Sequence, residues 1–312
     1  MGGSLVVFGY HRVGPRFGKH VDQIRSHCEI VPLWEGLEAV ERGEGRRLAA
    51  ITFDDAYRDV HRHALPVLRE RRVAATVFVP TAAIGQTRFW WDRLDAIVTA
   101  GATRGHNGDI RSTGGTWLRS AEQVRALRSH VRHADGGTRD RLLAKWEAEF
   151  ECRAEEDEDA RLIMDWAELC EVSKAGVEVA SHSVSHENLA ALGDAELDRE
   201  LQESRERLEA AVAAKVNGFA YPFGRAPYVD RRVRDRTRAA GYEYAVTTLP
   251  GVNRRPVDPF MVHRYLVGPA ERDWVMKAMA NGAWSYLRRA QSGKRAARSV
   301  LSRMRQGALR EG

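Results

Sequence analysis

The chain has 312 residues, 43% apolar and 29% charged, which suits one large globular domain or two ordinary ones and excludes a disordered or fibrous protein. Its net charge of +6 is local: residues 286–310 hold eight basic side chains and no acid, and the rest is slightly acidic, so nucleic-acid binding by the body has no support. Cys28, Cys152 and Cys170 are three scattered thiols, which argues against a disulfide framework or a cysteine metal site.

In chain order, short apolar runs alternate with helical patterns. The runs Leu5–Tyr10, Leu48–Phe53, Ala74–Val79, Val177–Ala180, Gly218–Tyr221, Tyr244–Thr248 and Phe260–Val267 read as strands buried on both faces. Apolar residues at helical spacing predict helices over Asp59–Arg71, Ser120–His133, Thr138–Glu151, Asp165–Lys174, Asp194–Ala214 and Val229–Ala240. Strands alternating with helices imply a parallel sheet, here a closed or distorted β/α barrel, whose chemistry gathers at the carboxyl ends of its strands. Residues 81–163 are expected to form a mostly helical insertion over the barrel mouth, with residues 101–115 as a loop. Residues 1–270 make the expected catalytic domain and 271–312 a basic, amphipathic helical tail suited to an anionic membrane surface. The start of the chain has no basic segment followed by a long apolar run, so a cytoplasmic protein, peripheral at the inner membrane surface, is the expectation.

Two motifs carry chemistry. Thr52-Phe53-Asp54-Asp55 ends an apolar run, and His182 and His186 stand four apart after another. One aspartate with two histidines can hold a borderline divalent ion and leave positions open. The other aspartate can then act as a base toward water.

With these motifs in place the chain resembles the polysaccharide deacetylases, carbohydrate esterase family four (the NodB-homology domain). Tyr10-His11-Arg12-Val13 resembles an opening strand of that family, and Ile51–Asp59 its first motif, with Ala56 where a glycine is usual. Leu65-Pro66-Val67-Leu68 and Ala75–Val79 resemble the next helix and strand. Trp166–His186 resembles the second motif, Ala220-Tyr221-Pro222-Phe223-Gly224 the third, and Asp258-Pro259-Phe260 through His263-Arg264 the closing strand.

The resemblance implies a distorted (β/α) barrel and a metal-dependent hydrolase that removes acetyl groups from an N-acetylated sugar. It implies Asp54 as base and Asp55, His182 and His186 as metal ligands, with Zn2+ first and Co2+, Ni2+ or Mn2+ also suited. A backbone N–H near Phe223 would face the oxyanion. The arginine that orients the base in many members is replaced by Ala220, so Arg264 becomes the candidate for that contact, and His263 the candidate acid. Tyr221, Pro222, Phe223, His11 and Trp90 are candidate substrate contacts. Phe89-Trp90-Trp91 suits either a sugar-stacking platform or an anchor of the insertion. Two other readings stay open: hydrolysis of a cyclic amide, an O-acetyl or a formyl group at the same site, and a non-catalytic sugar-binding protein.

Overall fold

The computed structural model describes residues 3–104, 110–111, 117–118, 121–134, 136–152 and 161–284. The chain divides into two compact units, Met1–Ile84 with Met164–Gly312, and Gly85–Ile163.

The first unit is built on one parallel sheet. Its strands are β1 (Ser4–Tyr10), β2 (Glu29–Ile30), β3 (Arg47–Phe53), β4 (Thr76–Val79), β7 (Glu178–Ser181), β8 (Gly218–Ala220), β9 (Tyr244–Val246) and β10 (Tyr265–Leu266). They run in the order β10-β1-β3-β4-β7-β8-β9, with β2 added beside the start of β3. The segment 262–267 joins the two ends. Val262 bridges to Val246 of β9, and Tyr265 and Leu266 pair with Phe8 and Gly9 of β1. The sheet therefore curls into a distorted barrel, as expected.

Alternation along the strands sorts the side chains. Val6, Phe8 and Tyr10 of β1 and Ala49, Ile51 and Phe53 of β3 face outward, where they share a core with the surrounding helices. Leu5, Val7, Leu48, Ala50, Phe78, Ala180, Ala220 and Val246 face the other way, into the barrel. The phase of this alternation decides what reaches the strand ends. The series Leu48-Ala50-Thr52 leads to Asp54, Leu5-Val7-Gly9 to His11, Ala180 to His182, and Val262 to Arg264.

The outer helices are α1 (Phe17–Arg25), α3 (Leu65–Arg71), α7 (Trp166–Lys174), α8 (Asp194–Val212), α9 (Arg231–Ala239) and α10 (Asp273–Ala280), whereas α2 (Leu33–Glu41) packs Leu33, Leu37 and Val40 into the core inside the barrel. The single helix expected over 59–71 is split: a π-helical turn, Val60–Ala64, precedes α3. Pro66 has no N–H to give a carbonyl one turn back, so the regular ladder cannot pass through it. Within the segment expected as a tail, α10 buries Val275, Met276, Met279 and Ala280 in the sheet–helix core. It is an element of the barrel. The expected basic helix beyond Leu287 lies outside the described residues.

The second unit holds α4 (Trp90–Arg104), a short hairpin of β5 (Ile110–Arg111) and β6 (Trp117–Leu118), α5 (Ala121–His133) and α6 (Gly136–Glu149). It is mostly helical, as its sequence implies, and has its own core of Leu94, Ile97, Leu127, Val131, Leu143, Trp146 and Phe150. Among the described residues, no helix is long and apolar enough to cross a membrane.

Candidate metal centre

Asp54 and Asp55 follow β3 directly and are 1% and 2% exposed. Asp54 keeps the sheet register, its N–H donating to the Tyr10 carbonyl at 2.8 Å. Asp55 then turns into left-handed backbone, φ 69°, and Ala56 follows at φ 51°. The usual glycine at position 56 would suit that conformation; alanine accepts it at a cost of about 1 kcal/mol. The other strand ends turn alike. Ser183 has φ 69°, His186 φ 57°, and Phe223 φ 62°. Unfavourable backbone is thus gathered at the ends of β3, β7 and β8, as at sites where side chains are held in place for function.

These turns bring three donors together. Asp55 Oδ1 lies 3.6 Å from His182 Nε2 and 3.5 Å from His186 Nε2, and all three residues are buried. Two metal–ligand bonds of about 2.1 Å at a tetrahedral angle separate their donors by roughly 3.4 Å, so this spacing suits a shared divalent ion. The tautomer suits it too. His182 Nδ1 stands 2.7 Å from the Ala220 carbonyl, which can only accept, so Nδ1 carries the proton and Nε2 offers its lone pair to the site. Burial lowers the His182 pKa to about 4, against the pull of Asp54, so the ring is neutral at neutral pH. Burial, with His182 beside it, also holds His186 well below the ordinary histidine value. The three residues fit a divalent metal.

Asp54 stands apart from this set because of Arg264. The guanidinium is fully buried and forks onto the carboxylate, Nη1 to Oδ1 at 2.7 Å and Nη2 to Oδ2 at 2.9 Å. Nη1 also donates to Thr52 Oγ1 at 3.1 Å, and Nε to the Thr247 carbonyl at 2.9 Å. Gly9 lies beside this group: a Cβ there would be in ordinary contact with Nη1 at 3.5 Å but would press on the Leu266 side chain at 3.0 Å. Burial alone would raise the Asp54 pKa, but Arg264, with His11 and His182, outweighs it and holds the carboxyl well below the usual range.

The other residues singled out by sequence fall in different places. His11 reaches the site: its Nε2 is 3.8 Å from Asp54 Oδ2 and 4.0 Å from Asp55 Oδ2, and its side chain is 43% exposed. His263 does not. Neighbouring strand residues face opposite ways, so with Arg264 turned inward the His263 ring turns outward against Gly251. Phe223 lies edge-on to His186, ring centroids 5.2 Å apart, and against Tyr228 at 4.8 Å. Pro222 is buried in the same turn. Tyr221 is a correction. It falls on the outward phase, sits in the sheet–helix core at 1% exposure, and donates its hydroxyl to the Phe260 carbonyl at 3.2 Å, out of a substrate's reach. Trp90 packs on the core of the second unit, under Arg139 and edge-on to Trp91, as an anchor does. Sequence reasoning assigned nothing to Glu200 of α8, whose carboxylate receives the loop between the two histidines. A glutamate among the many charged residues of a long helix carries no signal until the loop is folded against it.

The protein-family model described as Polysaccharide deacetylase matches residues 41–123 and 143–245. YxkH of Bacillus subtilis (strain 168), named as a polysaccharide deacetylase, is 26% identical over 117 residues. That match spans 38% of this chain and only 39% of the relative. Among solved structures, the Streptococcus pyogenes deacetylase PplD in complex with acetate has a TM-score of 0.55 at 14% identity, covering 88% of this chain and 96% of that one. IcaB from Ammonifex degensii has a TM-score of 0.55 at 20% identity, covering 90% and 96%. At such identities the likeness is one of fold.

Proposed function

Because the chain belongs to the polysaccharide deacetylase family, we propose that it hydrolyses the acetamide of an N-acetylated sugar with the help of a divalent ion. The observation that carries this reading is the pairing of two unlike sets: an arginine-locked Asp54 beside the Asp55, His182 and His186 donors. Zinc is the first choice of ion, with cobalt, nickel and manganese suited to the same donors. Such an ion supplies Lewis acidity, drawing charge from the scissile carbonyl and making water acidic near neutrality.

The protein's own groups do the rest. Asp54, kept ionised by Arg264, accepts a proton from the attacking water. The water oxygen bonds to the acetyl carbon, and the Phe223 backbone N–H is our candidate donor to the oxyanion. The C–N bond then breaks, and the leaving nitrogen needs a proton. His11, within 4 Å of both carboxylates and open to solvent, is better situated than His263 to give it. The products are acetate and the free amine. Phe223 and Tyr228 form an aromatic wall beside His186 that suits the apolar face of a sugar.

Acetate release across a panel of N-acetylated sugars, after chelation and after adding back single ions, tests the reading. Asp54→Asn should keep its ion and lose ~10²–10⁴ in rate. His182→Ala and His186→Ala should lose ion and activity together. An Asp54→Asn protein that shed its ion as readily as the histidine variants would reverse the roles within the doublet.

A further inference from the structure

We propose that Glu200 is a positioning residue for the metal centre, its buried carboxylate setting the loop that spaces His182 and His186. The inference rests on the metal-dependent reading of the site.

Four successive backbone N–H groups of that loop donate to side-chain oxygens. Ser183 N–H donates to Ser181 Oγ at 3.2 Å, and His186 N–H to Ser183 Oγ at 3.0 Å. Between them, the N–H groups of Val184 and Ser185 both donate to Glu200 Oε2, at 2.8 and 2.9 Å. Ser185 Oγ adds a bond to Glu200 Oε1 at 2.7 Å. Glu200 is 7% exposed. One turn further along α8, Ser204 Oγ lies 2.8 Å from Ser181 Oγ, so the same helix holds the loop at a second point. From the other side, Thr81 and Ala82 donate their N–H groups to the carbonyls of Ser183 and Val184, at 3.1 and 2.9 Å.

The loop needs this grip because its backbone is unfavourable at both ends, left-handed at Ser183 and at His186. Without the carboxylate, the N–H groups of half-buried Val184 and exposed Ser185, with the Ser185 hydroxyl, lose the acceptor that ties them to α8, and the loop is free to settle against water in another conformation. His182 has a hold of its own, through Nδ1 on Ala220. The shift therefore falls on His186, and the spacing of the donors to Asp55 is lost. Groups that orient metal ligands from outside the coordination shell typically affect affinity by ~10–100-fold.

The test is zinc affinity of the full chain, measured by competition with a chromogenic chelator, together with the melting temperature in chelator. Glu200→Ala should bind zinc about 10–100-fold more weakly than wild type. Glu200→Gln, which keeps one acceptor oxygen for the backbone, should lose less. Leu208→Ala, on the same helix and buried in its core, should melt earlier and bind zinc as wild type does. The proposal is overturned if Glu200→Ala melts earlier but binds zinc at wild-type affinity, since Glu200 would then be a packing residue. If Glu200→Ala fails to fold, Glu200→Gln decides by the same criterion. A wild-type chain that takes up no divalent ion would instead fell the metal reading, and this inference with it.

Discussion

Arg264 shows what a single buried charge implies. A guanidinium removed from water is tolerable only when its donors find acceptors, and here the Asp54 fork, Thr52 and Thr247 take four of its five N–H groups. Arg264→Met should cut turnover sharply and leave metal content near wild type. It should also move the acidic limb of the pH–rate profile upward, because a carboxylate that loses a positive neighbour gains pKa. An unchanged rate and profile would return Arg264 to a purely structural part. The histidines make a second residue-scale prediction, for the metal-free protein. The folded His182 pKa, about 4, lies below the ordinary 6.5. Between those values the unfolded chain binds the proton and the folded chain does not, so stability falls as pH drops from 6.5 to 4. The loss from His182 alone is on the order of 3 kcal/mol. Asp54, with its depressed pKa, keeps its stabilising contribution above about pH 4 and loses it only below, which separates the two. Denaturant melts in chelator at pH 7 and pH 5 check this: wild type should lose stability, and His182→Asn should lose less.

Elements differ in how plainly their sequences announce them. Helix α7, which leads into the strand that ends before His182, has a reciprocal cap. Asp165 accepts from the Glu168 N–H at 2.8 Å, and Glu168 accepts from the Asp165 N–H at 3.1 Å. Glu168 also takes Arg58 Nε at 2.6 Å. Asp165→Ala should cost ~1 kcal/mol, seen as a lower denaturant midpoint at unchanged slope, with zinc binding intact. Helices α1 and α2 announce themselves far less. Each is nine residues long, and neither Arg16 nor Pro32 at their starts makes a side-chain cap. Their apolar residues do recur at helical spacing, Leu33, Leu37 and Val40 in α2. Without a start signal, so short a period is easily passed over.

At the scale of the whole molecule, Asp54, Asp55, His182, His186, Arg264 and His11 all belong to one compact unit. Gly85–Ile163 has a core of its own. Replacing that segment with a short Gly-Ser linker should therefore leave a folded chain that still binds zinc. A soluble, folded excised protein that binds none would show that the centre depends on the second unit.

The amino-acid order by itself announced most of the barrel's strands, though not β2, and offered candidate donors after them, because buried parallel strands read as apolar runs and a metal needs particular atoms. It also kept Asp54, Asp55, His182 and His186 close to those ends. What it could not settle was which residues meet. Asp54 and Arg264 are 210 positions apart and touch only because the 262–267 segment closes the sheet. A shift of one residue in the alternation exchanges inward for outward. That phase puts His11 and Arg264 at the site and turns Tyr221 and His263 away from it. It becomes visible only when the strands are laid side by side, so the tertiary structure alone decided it.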